Sequence, residues 1–468
     1  MYVAAFKKRN LKPIVLIPYA PIPNFDKIVE GFEKSFPGEE VEVCQDADDA
    51  MAILEGKKIE AVFAGGDPGV GLADELSKRL GLPGNDPSTT WLRTTKLGMA
   101  TALEKAGLRH MRTRSVKSEK EVKEFWETCN GKCAIKYTSS GASVGFKVCS
   151  SLDECINHFN LLRNSTNNIG EKDVDILMQE YVIGEEYVVN TASCNGKHVI
   201  TDLWRYRLTN ANGNVFYDGE MLLSESSAPR GLIDYALAVL DATGVRYGLC
   251  HSEYFWNSEG PILIETNPRM MGASQPEEFQ IAMYGCTYAD YSFATMDEEM
   301  FSDMLKVHFD TNGKYAIVEE LTATKVGELD PAPTNILVSA LPSYFSCDMK
   351  DGKRLISKTI DLSTSLGNLF LVAESKDILE RDYKMIKELE NNYPDLMMED
   401  DSFKFAHTLA DLKLTVDSIS AGEVLDVDLS IAESIPYGKE GLSVAMSFFG
   451  MIECGSDRDK IQFCKESR

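Results

Sequence analysis

At 468 residues the chain exceeds what one hydrophobic core usually serves, so two or three domains of roughly 100–200 residues each are expected. Lys and Arg total 48 against 73 Asp and Glu, a formal charge of -25 that repels phosphate backbones and anionic membranes, excludes a nucleic-acid partner, and requires any bound anion to be held by a few placed cations and a metal. Near-average hydrophobic (44%) and charged (26%) fractions exclude long disorder, and no apolar run approaches the ~18 residues of a membrane span. Met1 to Asn10 lacks the apolar stretch of a signal peptide, and the eleven cysteines form no CxxC pair or zinc spacing, so a cytoplasmic protein with reduced thiols is expected.

From Pro13 to about Ser88 short apolar runs alternate with amphipathic stretches: Ile14–Ile17, Phe25–Phe36, Val41–Val43, Met51–Leu54, Ala61–Ala64 and Val70–Leu80. This βαβαβα order predicts a small parallel sheet. Its third strand runs into Gly65-Gly66-Asp67-Pro68-Gly69-Val70-Gly71, which is neither GxGxxG nor GxxxxGK[ST] and reads as a tight strand-to-helix turn without a catalytic role. Thr95–Ala106 is a helix opened by Lys96, and a strand–helix–strand stretch follows from Met111 through Glu119–Cys129 to Cys133–Tyr137. Thereafter Ile176–Val182, Tyr187–Ser193, His198–Tyr206, Gly248–Trp256 and Pro261–Thr266 read as period-two strands, mainly antiparallel, with helix Leu232–Ala242 packed on them. Beyond Ala289, strands around Ala316–Val318, Ile336–Ala340 and Leu369–Ala373 precede helix Lys376–Leu389, giving a third, smaller α/β unit. Phe403 to Arg468 alternates apolar and polar residues and carries no chemical motif. The fold class is thus α/β and α+β, multidomain.

The strongest chemical signal is the strand pair Leu249–Trp256 and Pro261–Asn267, linked by Asn257-Ser258-Glu259-Gly260 as a hairpin. A turn centred on Glu259 puts Glu253 opposite Glu265 and His251 opposite Asn267, all four on one face. Two carboxylates facing each other across a ladder are unfavourable unless a cation lies between them, and two Glu with an Asn amide oxygen form a hard-oxygen set suited to Mg²⁺. The bland alternative is a solvated acidic face on an edge hairpin; Arg269, two residues beyond Asn267, shifts the balance, because a guanidinium beside a metal pair suits a transferring phosphoryl group.

A second signal is the strand–loop–strand stretch Ala134–Val148, in which Lys136 precedes the small-residue loop Ser139-Ser140-Gly141-Ala142-Ser143. Such a loop can cover phosphates with N–H groups and hydroxyls, while a hairpin with an outward Lys is the plainer reading of Lys136 alone. Gly141–Gly145 is also a literal GxSxG, but a nucleophile elbow needs a strand-to-helix turn, and Val144, Phe146 and Val148 continue as a strand. A third signal is Met178–Val189: the backbone around Glu180, Tyr181 and Val182 can meet an adenine edge and Glu186 a ribose, against the plainer reading of a Gly184 bend with solvated acids.

Lys96 before a helix, Lys136 before a glycine-serine loop, Glu180…Glu186, then Glu253…Glu265-x-Asn267-x-Arg269: this order resembles the ATP-grasp superfamily over about residues 13–395. Gly81-Leu82-Pro83-Gly84-Asn85 with Lys96-x-x-Met99, and Ile264–Arg269, look most like the dipeptide-forming L-amino-acid ligases. The resemblance implies an ATP-grasp fold with an N-terminal parallel βαβ domain (1–92), an ATP-grasp domain (93–300, lid about 130–195, metal and catalytic core 196–300), a C-terminal α/β subdomain (301–398) and an extension (399–468). It implies ATP and Mg²⁺, with Mn²⁺ as a substitute: Lys96, Lys136, Ser139, Ser140, Gly141 and Ser143 toward the phosphates, Glu180, Tyr181 and Val182 at adenine, and Glu186 at ribose. Glu253, Glu265 and Asn267 would hold the metal and Arg269 would stabilise an acyl phosphate.

Where related D-alanine ligases carry an Arg, this chain has His251, so that task would fall to Arg269 or to the His251 imidazole. The implied reaction joins a carboxylate, an amino acid, to an amine, also an amino acid, through an acyl phosphate with release of ADP and phosphate. Within the fold the rival is an ATP-dependent carboxylase or purine-type ligase; outside it, a non-catalytic nucleotide-binding protein. The partners are small-molecule substrates, and the segment after Phe403, which departs from the family, has a homodimer contact, a lid or a partner site as open roles.

Overall fold

The structure, a computed structural model, describes the chain apart from residues 1, 23, 138–144, 166–174, 212–213, 273–274, 307–308, 312, 350–351, 398–401, 457–459 and 467–468. It forms two compact units, one of Met1–Leu203 with Ser224–Asp310, the other of Trp204–Leu223 with Thr311–Arg468.

The first unit begins with a two-stranded parallel sheet in which Ile14–Pro18 pairs with Glu40–Cys44, flanked by helices Phe25–Ser35, Ala47–Ile53 and Val70–Leu80. The expected third strand, Ala61–Ala64, is not part of a ladder. Its Phe63 packs instead against Phe6 and Phe293, ring centroids 6.0 and 5.4 Å away, so side-chain packing takes the place of strand pairing. A buried ion pair of Arg93 and Asp74, 2.6 Å apart, ties helix Val70–Leu80 to helix Trp91–Thr94. Next, Thr95 caps helix Lys96–Lys105, its hydroxyl accepting from the Gly98 N–H at 3.0 Å. Gly98 is required there: a Cβ would lie 2.0 Å from the Trp91 carbonyl oxygen.

An antiparallel four-stranded sheet follows, ordered Thr113–Val116, Ile176–Glu180, Cys133–Tyr137, Lys147–Cys149. Helices Glu119–Trp126 and Leu152–Arg163 cover one face, and Val122, Phe125, Ile135, Tyr137, Phe159 and Met178 form the core between them. Strand alternation therefore sends Lys136 to the other face. A second antiparallel array in this unit orders Gly260–Asn267, Gly248–Asn257 and Glu185–Cys194, followed by strand Lys197–Ala211, within which the chain leaves the first unit.

In the second unit Asn214–Leu223, Tyr315–Leu321, Gly367–Ala373 and Tyr344–Cys347 pair in that order. Ile336–Ala340, expected as a strand, falls instead in and just after helix Pro331–Val338, because Asp330 caps it by accepting from the Ala332 N–H and Pro331 occupies its first turn. The stretch from residue 402 on contains helices Ser402–Asp417 and Gly438–Phe448 and a three-stranded antiparallel sheet of Val424–Asp428, Lys460–Lys465 and Met451–Ser456. Phe405, Leu409, Met446 and Phe463 share one core with Ile317, Leu371 and Ile386. Among the described residues no helix is long and apolar enough to cross a membrane.

Candidate active site

The hairpin of Gly248–Asn257 and Gly260–Asn267 sets the geometry. Near its turn the pairs are Asn257↔Gly260, Trp256↔Pro261 and Tyr254↔Leu263, so the loop is the two residues Ser258 and Glu259 rather than a turn centred on Glu259. A bulge between Glu253 and Tyr254 then shifts the register by one residue, giving Glu253↔Glu265 and His251↔Asn267, the pairs the sequence predicts. Without that bulge Glu253 would face Ile264 and the two carboxylates would fall on opposite faces.

The charge of this pair is answered by cations already in place. Lys96, from the start of its helix, pairs with Glu265 and also donates to the Ile264 carbonyl at 3.2 Å. Burial alone would push the Glu265 carboxyl up, but Lys96, the Asn267 amide donating at 3.1 Å and nearby His251 outweigh it and hold the carboxyl down at about 2. Opposite, His251 Nε2 lies 3.2 Å from Glu253 Oε1, and Nδ1 lies 2.8 Å from Asn190 Oδ1. The Asn190 amide donates in turn to buried Asp202 at 2.5 Å, which fixes its oxygen toward His251 and places a proton on Nδ1. His251 is thus a buried member of a Glu253–His251–Asn190–Asp202 chain.

Lys136 projects from the outer face of Cys133–Tyr137 and donates to Gln179 Oε1 at 3.1 Å. Burial and the neighbouring Lys96 charge, only partly offset by Glu265, push its ammonium down to about 8. Lys96, Lys136 and Glu265 therefore lie within one electrostatic neighbourhood, although they come from three separate segments. Arg269 forms a bidentate pair with Asp67, Nε to Oδ1 at 2.8 Å and Nη2 to Oδ2 at 2.9 Å, and its Nη1 donates to the Met270 carbonyl at 3.0 Å. Asp67 lies in the glycine-rich turn Gly65–Gly71, and its sequence signal is a carboxylate within a glycine-rich loop at the end of an apolar run.

The nucleotide-edge residues are placed less uniformly. The Glu180 carboxylate is held by Arg112 through Nε and Nη2, both at 3.1 Å, and the Glu180 N–H donates to the Arg112 carbonyl at 2.8 Å. Tyr181 is partly exposed with Lys132 Nζ 5.7 Å from its ring centroid, Val182 lies in the bend that follows, and Glu186 is buried in a strand opposite Phe255. Gly184 lets this bend lie on the hairpin, since a Cβ there would be 2.7 Å from the Trp256 carbonyl oxygen. Ser139, Ser140, Gly141 and Ser143 lie outside the described residues, as does most of the GxSxG stretch.

The donor set Glu253, Glu265 and Asn267 fits a hard divalent cation: three oxygen-bearing side chains on one face of the hairpin, partly open to solvent, with Lys96 paired to Glu265. Among the described residues, the one group of three carboxylates whose oxygens lie within 4.8 Å of one another is elsewhere, at Asp218, Glu319 and Glu390 in the second unit. There Lys387 already pairs with all three.

Residues 129–277 match the ATP-grasp domain family. Over 362 residues, 75% of this chain and 84% of the relative, the sequence is 23% identical to dapdiamide A synthase of Enterobacter agglomerans. Among solved structures, the L-amino acid ligase from Bacillus licheniformis aligns over 80% of this chain and 96% of its own, with 13% identity and a TM-score of 0.59. The biotin carboxylase domain of the Hydrogenobacter thermophilus 2-oxoglutarate carboxylase, solved with MgADP and bicarbonate, aligns over 85% of this chain and 92% of its own, with 12% identity and a TM-score of 0.57. Glu253, Glu265, Asn267, Arg269 and Lys136 thus lie inside the segment that matches the ATP-grasp domain family, and Lys96 reaches it from outside by its pairing with Glu265.

Proposed function

We propose that this enzyme uses ATP to join the carboxylate of one amino acid to the amine of another, through an acyl phosphate and with release of ADP and phosphate. The observation that carries the reading is the register placing Glu253 opposite Glu265, with Lys96 on Glu265, inside the segment that matches the ATP-grasp domain. The likeness to a dapdiamide synthase and to an L-amino acid ligase supports an amino acid on the carboxylate side.

In this reading Lys96 and Lys136 draw the ATP phosphates, together with Ser139, Ser140, Gly141 and Ser143, and the backbone of Glu180 to Val182 and the Glu186 carboxylate receive adenine and ribose. Glu253, Glu265 and Asn267 would hold Mg²⁺, which when bound neutralises phosphate charge; Mn²⁺ is the expected substitute. The substrate carboxylate attacks the γ-phosphate, and the guanidinium of Arg269 holds the resulting acyl phosphate. The amine then displaces phosphate, while His251, kept in place by Asn190, steadies the oxyanion. A cytoplasmic setting suits the substrates.

The test is ADP and phosphate release from MgATP with single amino acids and pairs, with mass spectrometry of products and Glu265→Gln as control. A product lighter than its two substrates by one water supports the ligase. Bicarbonate-dependent turnover instead would assign the carboxylase reading, and no turnover above the Glu265→Gln background with any acid or amine would assign the binding protein.

A further inference from the structure

We infer that Asp67 is a positioning residue for the reaction, presenting the Arg269 guanidinium in one fixed orientation. This inference rests on the ligase reading for its kinetic effect, though the ion pair itself can be tested without turnover.

Three observations lead to it. First, the pair is bidentate and spans 202 positions of sequence, joining the glycine-rich turn to the end of the hairpin strand that carries Glu265 and Asn267. Second, a guanidinium has five N–H donors; Asp67 takes Nε–H and one on Nη2, and the Met270 carbonyl takes one on Nη1. Among the described residues one N–H is left on each terminal nitrogen, the two-pronged set that recognises a phosphate or carboxylate. Asp67 therefore orients the group and leaves its binding edge to be used.

Third, the turn around Asp67 is built for placement. Gly66 is extended (φ -172°), Pro68 stiffens the single 3-10 turn Asp67–Gly69, and helix Val70–Leu80 follows at once. Yet a Cβ at Gly65 or Gly69 would meet no atom within 4 Å, and neither has a positive φ, so neither packing nor backbone strain demands glycine there. The Asp67 side chain is 56% exposed, whereas that of Arg269 is 15% exposed and so largely enclosed where Asp67 holds it.

The experiment compares Asp67→Asn, Asp67→Glu, Arg269→Ala and the double variant Asp67→Asn/Arg269→Ala in the full-length enzyme. Expected for Asp67→Asn is a fall in kcat of about 10- to 100-fold, KM for ATP within about twofold of wild type, and partial recovery in Asp67→Glu. In the Arg269→Ala background Asp67→Asn should have no further effect, because its only role is exercised through that guanidinium. A kcat for Asp67→Asn within about twofold of wild type, or a full, independent loss in the Arg269→Ala background, overturns the inference. Should the wild-type chain turn over no substrate, the ligase reading is what fails, and Asp67 is then judged by phenylglyoxal labelling of Arg269 mapped by mass spectrometry. Faster labelling in Asp67→Asn supports the pair as the restraint on Arg269, and an unchanged rate overturns it.

Discussion

Two carboxylate clusters in this molecule use the same ingredients to opposite ends. In the first unit Glu253 and Glu265 face each other with Lys96, and their side chains are 17% and 31% exposed. In the second, Asp218, Glu319 and Glu390 surround Lys387, and Glu319 is fully buried. Burial dominates there: it pushes the Glu319 carboxyl well above the usual range, outweighing Lys387, whereas at Glu265 the cations win and hold the carboxyl at about 2. A solvent-reachable pair can exchange its lysine for a metal and a phosphate. A sealed cluster whose own lysine fills it can only hold the fold together.

Breaking the sealed cluster should have the largest energetic effect. Lys387→Met leaves carboxylates buried without their cation and should cost about 3–5 kcal/mol of stability, seen in denaturant unfolding, while the turnover of the remaining folded enzyme stays near wild type. The open cluster should respond in the reverse way: Glu265→Gln should lower ADP release by about 10²–10³-fold with little change in unfolding midpoint. If both variants lost stability alike, the two clusters would not differ in kind.

A smaller effect concerns pH. Lys136, with its ammonium pushed down to about 8, attracts phosphate only when protonated, so the charge is present below pH 8 and lost above it. The affinity for MgATP should accordingly weaken by about tenfold between pH 7 and pH 9, as followed by calorimetric titration, and Lys136→Arg should flatten that dependence. The smallest effect sharpens the contrast from the sealed side. Because burial pushes the Glu319 carboxyl up, against the pull of Lys387, Glu319→Gln should cost about 1 kcal/mol, against the several expected for Lys387→Met.

The hairpin was legible in the sequence because strand alternation and a short polar link constrain register strongly where one face carries chemistry. The pairing of Glu253 with Glu265 came out as expected, although through a two-residue turn and a bulge rather than a turn centred on Glu259. For Lys136 alternation showed only an outward Lys, since Ile135 and Tyr137 face the core; its place near Lys96 and Glu265 comes from separate segments and has no local signal. What escaped was non-local. Asp67 finds its partner 202 residues away, and no local pattern encodes that contact. Ile336–Ala340 was misread because an apolar run of that length suits helix and strand equally, and the Asp330 cap with Pro331 decided it. The alternation of Leu425–Leu429 does form a strand, over Val424–Asp428, but the helices Ser402–Asp417 and Gly438–Phe448 beside it are not predicted by alternation.

The central claim is that a carboxylate is activated as an acyl phosphate at the Glu253–Glu265 hairpin. The direct measurement supplies the acid substrate with ¹⁸O in its carboxylate, together with MgATP and the amine, and weighs the phosphate released. One ¹⁸O transferred to phosphate in each turnover is the predicted result, since the acid oxygen that attacks phosphorus leaves with it. Product formation with unlabelled phosphate would contradict the account.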